Sequence, residues 1–251
     1  MTAHPSSSTV DDAEVARFSA IAAEWWNPTG KFKPLHRFNP VRIAYVRDAL
    51  CRRFGRDPES ERPLEGVRIV DIGCGGGLIT EPMAKLGATM VGIDASERNI
   101  KTASLHAREN RLVIDYRNTT AEALVAAGER FDAVLALEVI EHVADVPLFV
   151  RCCADLVRPG GQLFLATLNR TPKSYLMAIV GAEYVLRWLP RGTHDWKRFQ
   201  KPSDLAAALR DRAMEVCDLS GVVYNPFSDS FRLDPKDIAV NYLLTAEKAP
   251  A

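Results

Sequence analysis

Short apolar runs recur along this chain, and the stretches between them carry the spacing of helices. The runs cover residues 67–72, 90–94, 113–116, 131–137, 162–168, 214–223 and 238–246. Val67, Ile69, Val70 and Ile72 have the β-branched bias of a strand buried on both faces. Helical spacing covers 78–86, 97–109, 121–127, 145–157 and 203–212, with Ser96 placed to cap the second of these. That alternation predicts an α/β fold: a doubly wound, mostly parallel sheet of seven strands, the last adding an antiparallel edge. Ligands of such sheets sit at the carboxyl ends of the strands. Gly73, Asp94 and the residues after Ala136 and Leu168 are thereby gathered around one crevice.

Upstream, Asp11 or Asp12 can cap a helix running to about Trp26, with Val15, Phe18, Ala22 and Trp25 on one stripe. Pro28, Pro34 and Pro40 break regular structure over 27–42, where Lys31, Lys33, His36, Arg37 and Arg42 supply cations. A helix follows from about 41 to 54. The chain then divides into a disordered tail at 1–10, an N-terminal helical cap at 11–65 and the sheet domain at 66–248. After the fifth run the pattern breaks, and 174–190 is strongly apolar and aromatic. Over 170–201 seven cations face two anions, a balance of +5. Such an insert suits a helical cap lying in a membrane interface, or one that buries its apolar side on the domain. One element can do both.

Composition closes several alternatives. Hydrophobic content of 47% is ample for a core. Lys and Arg number 32, as do Asp and Glu, so the balance gives no footprint for nucleic acid. Five cysteines, with no C-x-x-C pair, suit a reduced cytoplasm rather than a disulfide frame or a zinc site. The first residues lack a basic, apolar leader. No apolar run reaches the roughly 18 residues that cross a bilayer.

Candidate chemistry starts at the turn after the first run. Gly73, Gly75, Gly76 and Gly77 let the chain bend sharply and bring backbone N–H groups close to a ligand. The G-x-G-x-x-G of dinucleotide sites fails in both frames, since Leu78 and Thr80 stand where glycine is required. What stands is D-x-G-x-G-x-G, from Asp71 to Gly77, which resembles motif I of class I S-adenosylmethionine (SAM) methyltransferases. A carboxylate there tolerates a sulfonium and would repel a pyrophosphate. Asp94, about 20 residues on, can take both hydroxyls of a ribose. A cation from 27–42 can hold the carboxylate of SAM. After the fourth run stands E-V-I-E-H. If the chain is helical there, Glu138, Glu141 and His142 share one face at the crevice mouth. His142 can then serve as general base towards a phenol, which titrates near 10. Alternatively the three residues ligate Mg²⁺ or a similar divalent cation.

DIGCGGG (71–77), EVIEHV (138–143), RPGG (158–161), the stretch 167–190, GTHDW (192–196), VNYLL (240–244) and EWWNPTGKFKPLHRFNPVR (24–42) together resemble the ubiquinone biosynthesis O-methyltransferases. The likeness runs from about Val15 to Ala246. It implies SAM-dependent O-methylation of a polyprenylated phenol or quinol, with SAM contacts at Arg42, Gly73, Asp94 and Leu137, beside Gly75 of the same turn. Glu138, Glu141 and His142 match residues proposed as metal ligands in some relatives. A lipid acceptor implies a cytoplasmic enzyme associated peripherally with the inner membrane. Residues 170–201 would meet the anionic surface, ubiquinone-pathway enzymes would be partners, and nucleic acid would not. Competing readings are an O-methyltransferase of a soluble catechol, a quinone C-methyltransferase, and a non-catalytic lipid-binding assembly subunit that keeps the fold.

Overall fold

The structure, a computed structural model, describes residues 8–177, 195–226 and 228–250. Among these, eight strands form one sheet: β1 (Arg68–Ile72), β2 (Thr89–Asp94), β3 (Asp115–Asn118), β4 (Phe131–Leu137), β5 (Val157–Leu168), β6 (Met214–Asn225), β7 (Ser230–Asp234) and β8 (Asn241–Lys248). Their order is β3-β2-β1-β4-β5-β8-β6-β7. The first five pair in parallel, and β8 runs antiparallel between β5 and β6. The expected α/β doubly wound sheet is therefore present, with eight strands rather than seven. The added strand is β7, a hairpin partner of β6 that forms the edge. The last strand is interior instead. Tyr242, Leu243, Leu244 and Ala246 are buried on both of its faces, and such a strand needs cover on both sides.

Eight helices flank the sheet: α1 (Asp12–Ala20), α2 (Lys33–Phe54), α3 (Thr80–Lys85), α4 (Glu97–Glu109), α5 (Ala121–Ala126), α6 (Val146–Leu156), the single turn α7 (Pro172–Ser174) and α8 (Pro202–Arg210), counted among the described residues. Side chains alternate across a strand, so one sheet serves two cores. On one face Ile69, Leu135 and Phe164 pack with Val46 and Leu50 of α2 and Met83 of α3. On the other, Val70, Val134 and Leu163 pack with Leu124, Phe149, Leu156 and Leu209 of α5, α6 and α8.

The proline-rich stretch behaves differently from expectation. The helix starts at Lys33, not near 41, and carries Pro40 in its interior. Pro34 falls in the first turn, where the missing N–H costs nothing. Pro40 costs one hydrogen bond and some strain, about 3 kcal/mol. Burial of Phe38, Tyr45, Val46, Ala49 and Leu50 along the same helix offsets it. At the other end of the chain's first segment, α1 stops at Ala20, and a 3₁₀ turn, Ala22–Glu24, carries the chain to Trp25. Within the expected 1–10 tail, Thr9 is buried. Its N–H donates to Glu122 (2.6 Å), and its carbonyl accepts from the N–H of Ala144 (2.9 Å). Residues 1–7, and most of the helix expected over 174–190, lie outside the described residues. Among the described residues, no helix is long and apolar enough to cross a membrane.

Candidate active site

The carboxyl ends of β1, β2, β4 and β5 open into one cavity of about 600 Å³. Its lining includes Arg42, Gly73, Gly75, Asp94, Leu137, Glu138, Glu141 and His142, whereas Lys33, His36, Arg37, Gly76 and Gly77 are not part of it.

At the β1–α3 turn the backbone of Gly75 has φ +54°, a left-handed conformation that costs side-chain-bearing residues about 1–2 kcal/mol. A Cβ there would overlap the Trp25 ring, and one at Gly73 would overlap Val139. Gly75 also donates its N–H to Asp94 Oδ2 (3.0 Å). Asp94 Oδ1 accepts from Ser96 N–H (2.7 Å) and from the Asn99 amide (3.2 Å). The carboxylate at the end of β2 is thus aimed by the turn opposite it. Burial pushes its acidity towards the neutral form, and these hydrogen bonds oppose that shift.

Trp25 is 8% exposed and lies over the turn. It stacks on Phe32 with ring centres 3.7 Å apart and donates its indole N–H to Asn99 (2.9 Å). Trp26 donates to the Gly76 carbonyl (2.8 Å) and stacks on His106. The segment between α1 and α2 therefore seals the glycine turn. Sequence reasoning placed Trp25 on a packing stripe and missed this contact. Its only signal was the 24–42 stretch.

Arg42 was expected as one cation of an irregular loop. It lies instead on α2, 2% exposed, with its guanidinium 4.4 Å from the Phe38 ring. Nη2 bonds Asn39, and Nη1 is 3.9 Å from Glu138 Oε1. Nε and Nη1 have no hydrogen-bond partner, so two buried donors of a cation are left unsatisfied. Asp71 is also buried, accepts from the Thr80 hydroxyl (2.6 Å), and is pushed up to about 6 by burial.

The E-V-I-E-H residues do not form a helical face. Glu138 ends β4 with φ +61°, Val139 turns the chain, and only Ile140–His142 make a 3₁₀ turn. Each side chain bonds a different partner as a result. Glu138 accepts from the Asn241 amide (2.9 Å). Glu141, 4% exposed, accepts from the Thr167 hydroxyl (2.9 Å). His142 places Nδ1 2.8 Å from Glu14 Oε2. Among the described residues, no three His, Cys, Asp or Glu side chains are arranged to hold a metal ion. The donor set as arranged does not fit a divalent cation, since each of its three members is bonded to another partner.

Burial, followed by the Glu138 charge, pushes the Glu141 carboxyl up to about 7. An acid raised in this way binds its proton more tightly when folded. Its contribution to stability is full below the ordinary glutamate range and is lost as pH rises through about 7. The Glu141→Gln variant keeps the bond to Thr167 and cannot ionise. Its melting temperature should therefore fall less than the parent's between roughly pH 5 and pH 8, and should exceed the parent's at the upper end. Parallel melting curves at the two pH values check this.

A methyltransferase-domain family model matches residues 70–165, from β1 into β5. The ubiquinone biosynthesis O-methyltransferase of Mesorhizobium japonicum is 59% identical over 244 residues, covering 97% of this chain and 98% of that one. The chain belongs to the ubiquinone biosynthesis O-methyltransferase family. Its counterpart from Parvibaculum lavamentivorans is 58% identical, covering 96% and 95%. Among solved structures, the magnesium protoporphyrin IX methyltransferase of Synechocystis with bound SAH superposes with a TM-score of 0.63 over 95% of this chain and 94% of that one. At 18% identity it attests the class I, Rossmann-like methyltransferase fold alone. As a family member the chain is a SAM-dependent O-methyltransferase. Its cavity presents an Arg42 guanidinium with N–H groups left unpaired and an Asp94 carboxylate held by the Gly75 N–H, groups that could hold such a donor.

Proposed function

We propose that this protein methylates a phenolic hydroxyl of a polyprenylated catechol or benzenediol in ubiquinone biosynthesis. One observation carries the reading: a single cavity joins the Gly75–Asp94 end to His142 and to an apolar wall of Phe38, Val222, Phe231 and Met177. SAM supplies an electrophilic methyl group on a sulfonium. The protein's own part is placement and proton removal. Arg42 pairs the carboxylate of the donor, Asp94 takes its ribose hydroxyls, and Leu137 packs against it. His142 takes the proton of the acceptor hydroxyl, a group that keeps it at neutral pH when unassisted. The apolar wall receives the ring and the start of the tail, as a lipid acceptor needs and a soluble catechol does not.

A polyprenyl tail lies in a bilayer, so the protein must meet that surface. Tyr175, Leu176 and Met177 are exposed side by side, and Arg170, Lys173, Lys197, Arg198 and Lys201 surround them in the sequence. This supports contact of the 170–201 insert with an anionic membrane. In a flotation assay the full chain should rise with anionic vesicles, and a chain shortened across 170–200 should not.

Glu138, Glu141 and His142 are the residues that would take a divalent cation, but their present directions do not fit one, and no step is assigned to it. The test of the whole reading is incubation with SAM and a short-tailed catechol analogue, with and without chelator. Mass spectrometry should find one added methyl on oxygen in both arms. A methyl on ring carbon, or none, overturns the reading, and a gain abolished by chelator restores the metal.

A further inference from the structure

The groups that hold the Asp94 carboxylate are themselves held from the N-terminal segment. Asp94 Oδ1 accepts from the Asn99 amide (3.2 Å), and Asn99 Oδ1 in turn accepts from the indole N–H of Trp25 (2.9 Å). The other donor to Asp94 Oδ1 is the N–H of Ser96 (2.7 Å), and the Ser96 hydroxyl lies 2.6 Å from that of Ser19 at the end of α1. Asn99 and Ser96 are each 2% exposed, so water does not replace these partners. The neighbours of Asn99 also dictate which way its amide points. An indole N–H only donates, and a carboxylate only accepts. One orientation satisfies both, with the oxygen towards Trp25 and the NH₂ towards Asp94. Turned over, the amide would set oxygen against carboxylate and NH₂ against N–H, and both would go unsatisfied in a buried place. Trp25 is fixed in its own right. Its ring stacks on Phe32, and its carbonyl accepts from His36 Nε2 of α2 (2.8 Å).

We infer that Trp25 is a positioning residue for the methyl donor, acting through Asn99 to set the Asp94 carboxylate for the ribose hydroxyls. This rests on the placement of the ribose at Asp94 proposed above. Three protein donors fall on the two carboxylate oxygens: Gly75 N–H on Oδ2, and Ser96 N–H with the Asn99 amide on Oδ1. They fix the plane of the carboxylate, so the lone pairs left over have set directions for two neighbouring hydroxyls. Remove the indole N–H, and the Asn99 amide is free to turn over and withdraw its donor from Oδ1. An apolar ring suffices for packing against Ala22, Phe32 and Leu78, and what the indole adds to that cluster is the N–H. The link joins residues 74 positions apart, so the N-terminal segment takes part in donor binding without touching the ribose. By reciprocity, a ribose held on Asp94 also favours Trp25 in its place over the glycine turn.

The experiment is calorimetric titration of the full chain with S-adenosylhomocysteine and with its 2′-deoxyribose analogue, in the parent, Trp25→Phe, Asn99→Ala, the double variant and Asp94→Asn. The reading is the ratio of the two affinities. In the parent the missing hydroxyl should weaken binding about 10-fold or more, as a hydrogen bond to a charged group does. For Trp25→Phe we expect S-adenosylhomocysteine to bind about 5-fold more weakly and the analogue nearly as in the parent, so that the ratio shrinks. Asn99→Ala should shrink it likewise, and adding Trp25→Phe to Asn99→Ala should shrink it no further. A parent-like ratio in Trp25→Phe, however weak the binding, overturns the inference, since lost packing weakens both ligands alike. If Trp25→Phe does not fold, a parent-like ratio in Asn99→Ala overturns it in the same way. Loss of the ratio in Asp94→Asn beside a parent-like ratio in the other variants removes the role of Trp25 alone. A parent-like ratio in Asp94→Asn removes the ribose placement itself, and the inference with it.

Discussion

The His142→Ala variant is expected to turn over about 10²-fold more slowly than the parent, or worse, while binding SAM as well as before. The first half follows from chemistry. A phenol holds its proton at neutral pH, and a neutral oxygen is a poor nucleophile towards a sulfonium methyl. Alanine leaves no group at this position to take that proton. The second half follows from geometry. His142 touches Glu14, Arg17 and Phe18, whereas the groups that fit the donor are Arg42, Gly75 and Asp94. Asp11 still pairs with Arg198, and Ser19 with Ser96, when the imidazole is gone, so α1 keeps its place. Steady-state rates and a calorimetric SAM titration check the two halves separately. An unchanged rate ends the general-base role.

Gly75→Ala should weaken SAM binding about 100-fold, for reasons that add. Alanine at φ +54° costs about 1–2 kcal/mol before any contact is counted. Its Cβ would then overlap the Trp25 ring, which cannot swing aside freely. The indole is stacked on Phe32 and bonded to Asn99. The ring must leave, and with it the cover over the turn. Asp94 loses its aim if the Gly75 N–H shifts with the strained backbone. Calorimetry with SAM measures the loss. A second substitution, Trp25→Ala, should restore part of the affinity in the double variant by removing the collision. Parent-like binding in Gly75→Ala alone would mean that the turn is not where the donor sits.

Much of this site was legible because it is local. The turn at 73–77 and Asp94 belong to one β1–α3–β2 unit, and their roles follow from spacing along it. The arrangement after β4 was not legible. E-V-I-E-H has the spacing of a helical face, but Glu138, just past the end of β4, is still tied to the sheet, its N–H donating to the Ala166 carbonyl of β5 (2.9 Å). Sheet pairing outweighed the local pattern, so the two carboxylates bond different partners. Pro34 and Pro40 likewise read as breakers, but Pro34 falls in the first turn of α2 and tertiary burial overruled Pro40, carrying Arg42 out of an exposed loop and into the cavity. The order of the last strands depends on which of them needs two covered faces, a property that becomes plain only when the whole sheet is assembled. Glu14 and Asn241 were missed because their partners lie 128 and 103 positions away, and a single acidic or amide residue carries no spacing signal of its own.

The central claim is that the methyl donor lies between the glycine turn and Asp94, with its carboxylate on Arg42 and the acceptor side facing His142. A structure of the protein with S-adenosylhomocysteine tests it most directly. The account expects both ribose hydroxyls within hydrogen-bond distance of Asp94 and the carboxylate on the unpaired N–H groups of Arg42. Product bound elsewhere, or a ribose turned away from Asp94, would contradict it.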